Sequence, residues 1–318
     1  ALCVAGAAEA YARLQPDLLV ILGDRYEALA LAQAAMIADI PIAHIGGGES
    51  TDGVSDEAIR HSITKMAHLH FVAAEEFRRR VIQLGEDPYR VWTVGALGLD
   101  TLARLRLLER DALAAEIDLD PGSPLILLTY PPTPRAELDP DAAITVVLKA
   151  LDAFPDGSVI ATPPNVDAGG AAVTAALEAY AAAHPGRVRM VGSLGQLRYL
   201  SVLRHADVVV GNSSSGLIEA PALRTPTVNI GIRQHGRLRA SSVIDCPEDV
   251  DAIVGAIRTA LSDSFRHDVT SPYGDGRAVP RITAVITDPR LDLRALLTKP
   301  FVDLPAAAAA DHTLSVQP

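Results

Sequence analysis

Val208-Val209-Val210-Gly211-Asn212-Ser213-Ser214-Ser215-Gly216-Leu217-Ile218-Glu219-Ala220-Pro221 reads as a strand, a Gly/Ser loop and the opening of a helix. Consecutive β-branched residues suit a strand buried on both faces, the pattern of a parallel sheet. The loop after it brings backbone N–H groups, hydroxyls and the positive end of a helix to one point, which suits a phosphate. A helix-capping role accounts for one serine and leaves the other two unexplained. No Gly-Lys-Ser/Thr follows, so this is not a Walker loop. Glu219, one turn into the helix, is placed to accept both hydroxyls of a ribose.

The same alternation of apolar runs and helical stretches extends outward from this unit. Strands are expected at 125–129, 158–162, 188–191 and 227–230, and, toward the start, at 18–22, 41–45, 69–73 and 91–94. Helical runs at 2–14, 27–38, 55–67, 75–84 and 101–109 separate the early strands. This is an α/β chain of two Rossmann-like, doubly wound domains, with ligands met at the carboxyl ends of the strands. The Pro/Gly turn within 118–124 sets the boundary, giving domains 1–118 and 119–288 and a terminal segment 289–318. The run 18–22 is expected to be buried on both faces.

Composition narrows the function. With 49% hydrophobic residues the 318-residue chain can bury a sizeable core, which excludes wholesale disorder. A net charge of −11 argues against a general nucleic-acid or anionic-membrane binder, so an anionic ligand must be met locally by arginines and helix ends. The lysines are Lys65, Lys149 and Lys299 alone, so arginine carries most of the positive charge. Cys3 and Cys246 give neither a disulfide framework nor a metal knuckle, and a reducing, cytoplasmic setting is the default. No apolar run reaches the roughly 18 residues of a membrane span.

Acid–base groups gather at the first-domain strand ends. Asp24 follows the first strand, and His44-Ile45-Gly46-Gly47-Gly48-Glu49 places a His and a Glu at the same rim. Asp56 and Arg60, four apart on a helix that also carries Glu57, can pair or meet a substrate together. A buried strand would fix Asp24, which puts it ahead of Asp56 as a proton-transfer residue. His61, His68 and His70 share no single face and match no zinc spacing, so no metal is expected. In the second half, Arg233 and Arg237 stand beside glycines at a strand mouth, a plausible diphosphate clamp.

These runs, together with Ser193-Leu194-Gly195-Gln196-Leu197-Arg198-Tyr199-Leu200, Tyr273-Gly274-Asp275-Gly276 and Lys299-Pro300-Phe301-Val302-Asp303-Leu304, resemble the hydrolysing UDP-N-acetylglucosamine 2-epimerases of the sialic- and legionaminic-acid branch. The resemblance implies a glycosyltransferase-B architecture with UDP in the cleft, and a C-terminal helix near 291–297 crossing back to the first domain. It implies conversion of UDP-N-acetylglucosamine and water to N-acetylmannosamine and UDP through a 2-acetamidoglucal. The alternatives are the same reaction on a UDP-2,4-diacetamido-6-deoxyhexose, a glycosyltransferase of this fold, or an inactive UDP-sugar binder.

Carried over residue by residue, Asp24, Glu49 and Asp56 are the acid–base set, and His44 and Arg60 hold sugar or phosphate. Gly211, Ser213 and Ser214 meet the phosphates, Glu219 the ribose and Arg233 the diphosphate, while Asn165 lies in another shared motif. No cofactor is expected, since arginine and helix-end amides can neutralise the leaving UDP. The expected partners are the UDP-N-acetylhexosamine substrate and further copies of the chain, as a dimer or tetramer. Three departures stand out: Pro131 replaces the family's histidine after Thr129-Tyr130, Gly46 stands where His or Glu is usual, and the family's opening strand and phosphate loop are absent. A first domain incomplete by two or three βα units is expected, with an exposed parallel sheet edge.

Overall fold

Two parallel sheets make up the computed structural model, which describes residues 1–51, 55–117, 124–133, 138–164, 169–262, 265 and 269–303. In the first part α1 (Leu2–Leu14), β1 (Leu19–Leu22), α2 (Tyr26–Ile37), β2 (Ile42–Ile45), α3 (Ser55–Met66), β3 (Leu69–Val72), α4 (Glu75–Gln83) and β4 (Val91–Thr93) are followed by α5 (Leu97–Arg104) and α6 (Arg110–Ile117). The second part runs β5 (Leu125–Thr129), α7 (Pro140–Leu151), β6 (Ser158–Thr162), α8 (Gly170–Ala183), β7 (Val188–Met190), α9 (Gly195–His205), β8 (Val208–Gly211), α10 (Ser215–Ala222), β9 (Thr227–Ile230) and β10 (Val243–Cys246). Helices α11 (Val250–Ala260), α12 (Ala278–Ile286) and α13 (Leu293–Leu296) follow. The boundary residues 118–123 lie outside the described residues.

The sheet orders are β1-β2-β3-β4 and β10-β9-β8-β5-β6-β7. In the second sheet the chain leaves β5 toward β6 and β7, then returns on the other side of β5 as β8. The crevice between the ends of β5 and β8 is therefore the topological switch point, where doubly wound sheets take their ligands. The serine loop opens there. Strands β2, β3, β8 and β9 are buried at every residue, as their unbroken apolar runs demand. Gly211 lets β8 lie this close to β5: at φ +141°, a Cβ there would stand 2.0 Å from the Thr129 carbonyl oxygen.

Three expectations need correction. β1 is not buried on both faces: it lies at the sheet edge, with Val20 46% and Leu22 62% exposed. The helix expected at 101–109 ends at Arg104, because the next backbone is taken by α9: Ser201 Oγ accepts from Leu108 N–H, and His205 Nε2 bonds the Leu108 carbonyl at 2.8 Å. The expected segment 291–297 does return to the first sheet, through Leu291, Leu293 and Leu296, but the return starts earlier. Ala278 and Ile282 of α12 already pack with Ala43, Ile45, Leu69 and Phe71.

Asp100, on α5 and 3% exposed, caps α12 from outside, accepting from Ala278 N–H at 2.7 Å and Val279 N–H at 2.8 Å. Beyond α13, the Lys299 ammonium donates to the Lys65 and Ala67 carbonyls and meets Glu86 at 2.7 Å. Glu86, 1% exposed, also accepts from His70 and Lys65. Burial alone would raise the Glu86 carboxyl, but these donors overturn that and hold it at about 2. Replacing Asp100 by Ala orphans two backbone donors that tie α12 to α5. Asp100→Ala should lower stability by about 2 kcal/mol, read from the urea midpoint, and Asp100→Asn by less.

Candidate active site

Arg60 is the hub of the first-domain rim. Its side chain is 1% exposed, and its guanidinium meets Asp24 Oδ2 at 2.5 Å, Glu57 Oε2 at 2.6 Å, the Glu49 carbonyl at 3.0 Å and Thr51 Oγ1 at 3.0 Å. The pairing expected with Asp56 does not form: Arg60 turns to Glu57, three residues back, and Asp56 stays exposed on the first turn of α3. Glu57 takes four donors, from Ser50 Oγ, Thr51 N–H, His61 Nε2 and Arg60. Burial would raise its carboxyl, but these donors pull it down, and Glu57 thereby ties the 49–51 loop to α3.

His44 is also a fixture rather than the sugar or phosphate ligand expected. It is fully buried, with Nε2 donating to the Gly23 carbonyl at 3.0 Å and Nδ1 accepting from the Thr64 hydroxyl at 3.3 Å. A carbonyl partner fixes the proton on Nε2. Burial drives its proton affinity down to about 4, despite the Gly23 bond. Asp24 is therefore placed by Arg60 and by His44 at the neighbouring Gly23, not by a buried strand. His61, His68 and His70 go to separate partners, Glu57, the Ile42 N–H and Glu86.

Glu49 differs from these tied residues. Its carboxylate side chain is 17% exposed and lines a cavity of about 340 Å³ between the domains, with Ile45, Gly46, Phe71, Leu97, Gly98 and Glu219. Burial raises its proton affinity, against the pull of Arg237, Arg60 and Arg80. A larger cavity of about 510 Å³ lies against the opposite face of α5, at Leu99, Leu102 and Ala103, away from these carboxylates.

In the second domain, Ser213 and Ser214 are half-buried at the switch point. Ser214 is the N-cap of α10 yet makes no side-chain capping bond. The buried Asn212 braces the loop: its amide donates to the Pro131 carbonyl at 3.0 Å and Thr133 Oγ1 at 3.1 Å. Pro131, in the place of the family's histidine, thus supplies a carbonyl to the loop. Arg233 Nη1 and Gln234 Nε2 donate to the Asn212 carbonyl at 3.1 and 2.7 Å, so Arg233 supports the loop from behind. Glu219 points across to α5, where its Oε1 stands 3.0 Å from the Cβ position of Gly98. Burial raises its carboxyl as well. Asn165 lies outside the described residues.

Sequence reasoning gave Gln234 no role and set Arg237 with Arg233 in a diphosphate clamp, without its partner across the cleft. Arg237 Nη2 reaches 3.9 Å from Glu49 Oε2, joining the two rims. The pair of arginines beside glycines was the available signal, and the partner across the cleft was not.

Paired parallel sheets define a glycosyltransferase-B-type fold, and Glu49 of the first part and Glu219 of the second line one cavity between them. Residues 1–287 match the UDP-N-acetylglucosamine 2-epimerase family, and the chain belongs to it. It is 34% identical to a Campylobacter jejuni GDP/UDP-N,N'-diacetylbacillosamine 2-epimerase (hydrolyzing), across 93% of this chain and 77% of the relative. It is 36% identical to a Legionella pneumophila UDP-N,N'-diacetylbacillosamine 2-epimerase (hydrolyzing), across 87% of this chain and 72% of the relative. The fold is shared with the crystal structure of a Neisseria meningitidis UDP-GlcNAc 2-epimerase bound to UDP-GlcNAc, at TM-score 0.78 and 17% identity, over 89% of this chain and 80% of that one.

The buried neutral histidine has a measurable signature. With His44 at about 4 when folded and near 6.5 unfolded, the unfolded chain binds more protons between those values, so stability rises with pH there. It is lost as pH falls from 6.5 toward 4, by about 1.4 kcal/mol per unit for such a group, and His68, also lowered to about 4, acts in the same direction. The depressed Glu86 adds its own loss only below its unfolded value near 4.3. Urea titrations between pH 7 and 4 should show this slope, shallower in His44→Asn.

Proposed function

We propose that the chain is a hydrolysing 2-epimerase of a UDP-linked 2,4-diacetamido-6-deoxyhexose of the N,N'-diacetylbacillosamine type. The observation that carries the reaction is a pair of carboxyls in unlike surroundings at one rim: Asp24 ion-paired to Arg60, and half-buried Glu49 with raised proton affinity. Such a divided pair suits one base and one acid. The sugar class is supported by the names of both relatives and by the apolar wall of the cavity. Leu22, Ile45, Phe71, Ala73, Ala96 and Leu97, with bare Gly46, face a sugar whose hydroxyls at C4 and C6 give way to an acetamide and a methyl.

The C2 proton has no adjoining carbonyl, so its removal needs positive charge developing at C1. In this reading Asp24 takes the C2 proton as the C1–O bond breaks, its electron pair leaving with UDP, and the C1=C2 double bond of a 2-acetamidoglucal forms. Protonated Glu49 then delivers a proton to C2 from the other face. Water bonds to C1 and returns its proton to Glu49, while Asp24 sheds its own to solvent. The product is the sugar with inverted C2. Ser213, Ser214 and the first turn of α10 receive the phosphates, and Glu219 the ribose hydroxyls.

The two carboxyls should separate in mutants. Asp24→Asn should stop UDP release, with turnover down roughly 10²–10⁴-fold. Glu49→Gln should still release UDP but let the glycal escape unhydrated, seen by NMR of the product in heavy water. UDP release with no glycal from Glu49→Gln would reverse or remove these roles. Wild-type product should carry solvent deuterium at C2, and kcat/KM should favour UDP-N,N'-diacetylbacillosamine over UDP-N-acetylglucosamine by about 10-fold or more. Binding without turnover of either sugar would leave a UDP-sugar binder.

The nucleotide side is tested apart from the chemistry. Glu219→Ala should weaken UDP by about 1–3 kcal/mol in calorimetry, through lost charge-assisted hydrogen bonds. Activity should persist in EDTA; loss restored by a divalent ion would overturn the metal-free reading.

A further inference from the structure

We propose that Arg237 is a positioning residue: delivered from the second domain, its guanidinium orients the Glu49 carboxyl of the first and completes the proton-transfer site. This rests on the epimerase reading for its kinetic consequence, but not for its geometry. Arg237 stands on the loop between β9 and β10, and its Nη2 lies 3.9 Å from Glu49 Oε2. Its Nε is buried with no hydrogen-bond partner among the described residues. A desolvated donor left open in a cleft is costly unless something uses it.

The loop is built to hold this side chain in place. The Arg237 carbonyl accepts from Arg239 Nη1 at 2.6 Å, and its N–H donates to the Gln234 carbonyl at 3.2 Å. The next carbonyl, of Leu238, accepts from the hydroxyl of fully buried Tyr273. The same loop supplies Gln234 and Arg233 to the Asn212 carbonyl under the serine loop. One short segment thus touches the phosphate seat with one end and Glu49 with the other. A nucleotide settling on the serines bears on the position of the proton donor through this rigid loop.

Other charges also face Glu49: Arg60 and Asp24 on its own rim, Arg80 from α4, and the Tyr273 phenol. Arg60 is committed to Asp24 and Glu57, and Arg80 donates to the Gly48 carbonyl. Arg237 is the cation whose approach to Glu49 depends on how the domains sit.

The test uses Arg237→Gln and Arg237→Lys in the full chain. The first readout is the Glu49 carboxyl titration by carbon-13 NMR without substrate, its signal assigned by loss in Glu49→Gln. The midpoint should rise in Arg237→Gln and stay near wild type in Arg237→Lys. The second is turnover against pH: in Arg237→Gln, kcat should fall about 10²-fold, as expected of a misplaced reacting group, with the alkaline limb moved to higher pH and UDP affinity unchanged. An unmoved Glu49 midpoint overturns the proposal. So does a loss of UDP affinity in step with kcat, which would make Arg237 a phosphate ligand. Should wild type turn over neither nucleotide sugar, the epimerase reading fails, and the Glu49 midpoint alone still decides for or against Arg237.

Discussion

A guanidinium with almost no access to solvent sets the terms for the first domain. Burying an ion costs several kcal/mol unless its partners repay the lost hydration. Arg60 meets that demand with two carboxylates, a carbonyl and a hydroxyl, drawn from the end of β1, the loop after β2 and its own helix. Because the donors form a rigid fork, the acceptors have little freedom to drift. The loop carrying Glu49 is shaped as a by-product of satisfying Arg60. Gly48 makes the shape possible, since a Cβ there would stand 2.3 Å from the Phe77 carbonyl.

The second domain solves a different problem, leaving polar groups open without letting them collapse. Buried Asn212 is held from both sides, so the serines after it keep their place while Ser214 is spared from capping. The two rims then communicate through few points, among them Glu219 against Gly98 and Arg237 near Glu49. Each is a polar group whose partner lies on another element, and each depends on the other domain for its environment.

Much of this was legible in the sequence, and the failures share a cause. Buried parallel strands announce themselves as apolar runs, so β2, β3, β5, β8 and β9 stand close to where periodicity puts them. The Gly/Ser loop and its place at a strand end were legible for the same local reason. What local pattern cannot carry is the partner. Leu18 to Leu22 looks like a strand buried on both faces, and the sheet order places it at the exposed edge that an incomplete first domain was expected to leave. Helical spacing offered Asp56 to Arg60, but Ser50, Thr51 and His61 gather on Glu57 and draw the guanidinium there. His44 reads as a ligand until Gly23 and Thr64 occupy both nitrogens. Strand β10 is short and half polar, with Asp245 bound to Asn229 and Arg239, and gives almost no periodic signal.

The return of α12 and of the Lys299 strap to the first sheet changes what the two domains are to each other. In topological terms the second domain is an insertion: the first begins the described chain, is interrupted after α5, and resumes at α12. An exchange of nucleotide-binding halves between related chains therefore cannot be made by a single crossover. One junction would leave Ala278 and Ile282 of the donor facing the β2–β3 surface of the recipient, with the Asp100 cap mismatched. Two junctions, one between α5 and α6, whose Leu113 and Ile117 pack with Leu125, Leu127 and Leu200, and one ahead of α12, would move the second domain whole. Recombination that respects this arrangement can change the nucleotide half while the carboxylate rim and the covering of its sheet are inherited together.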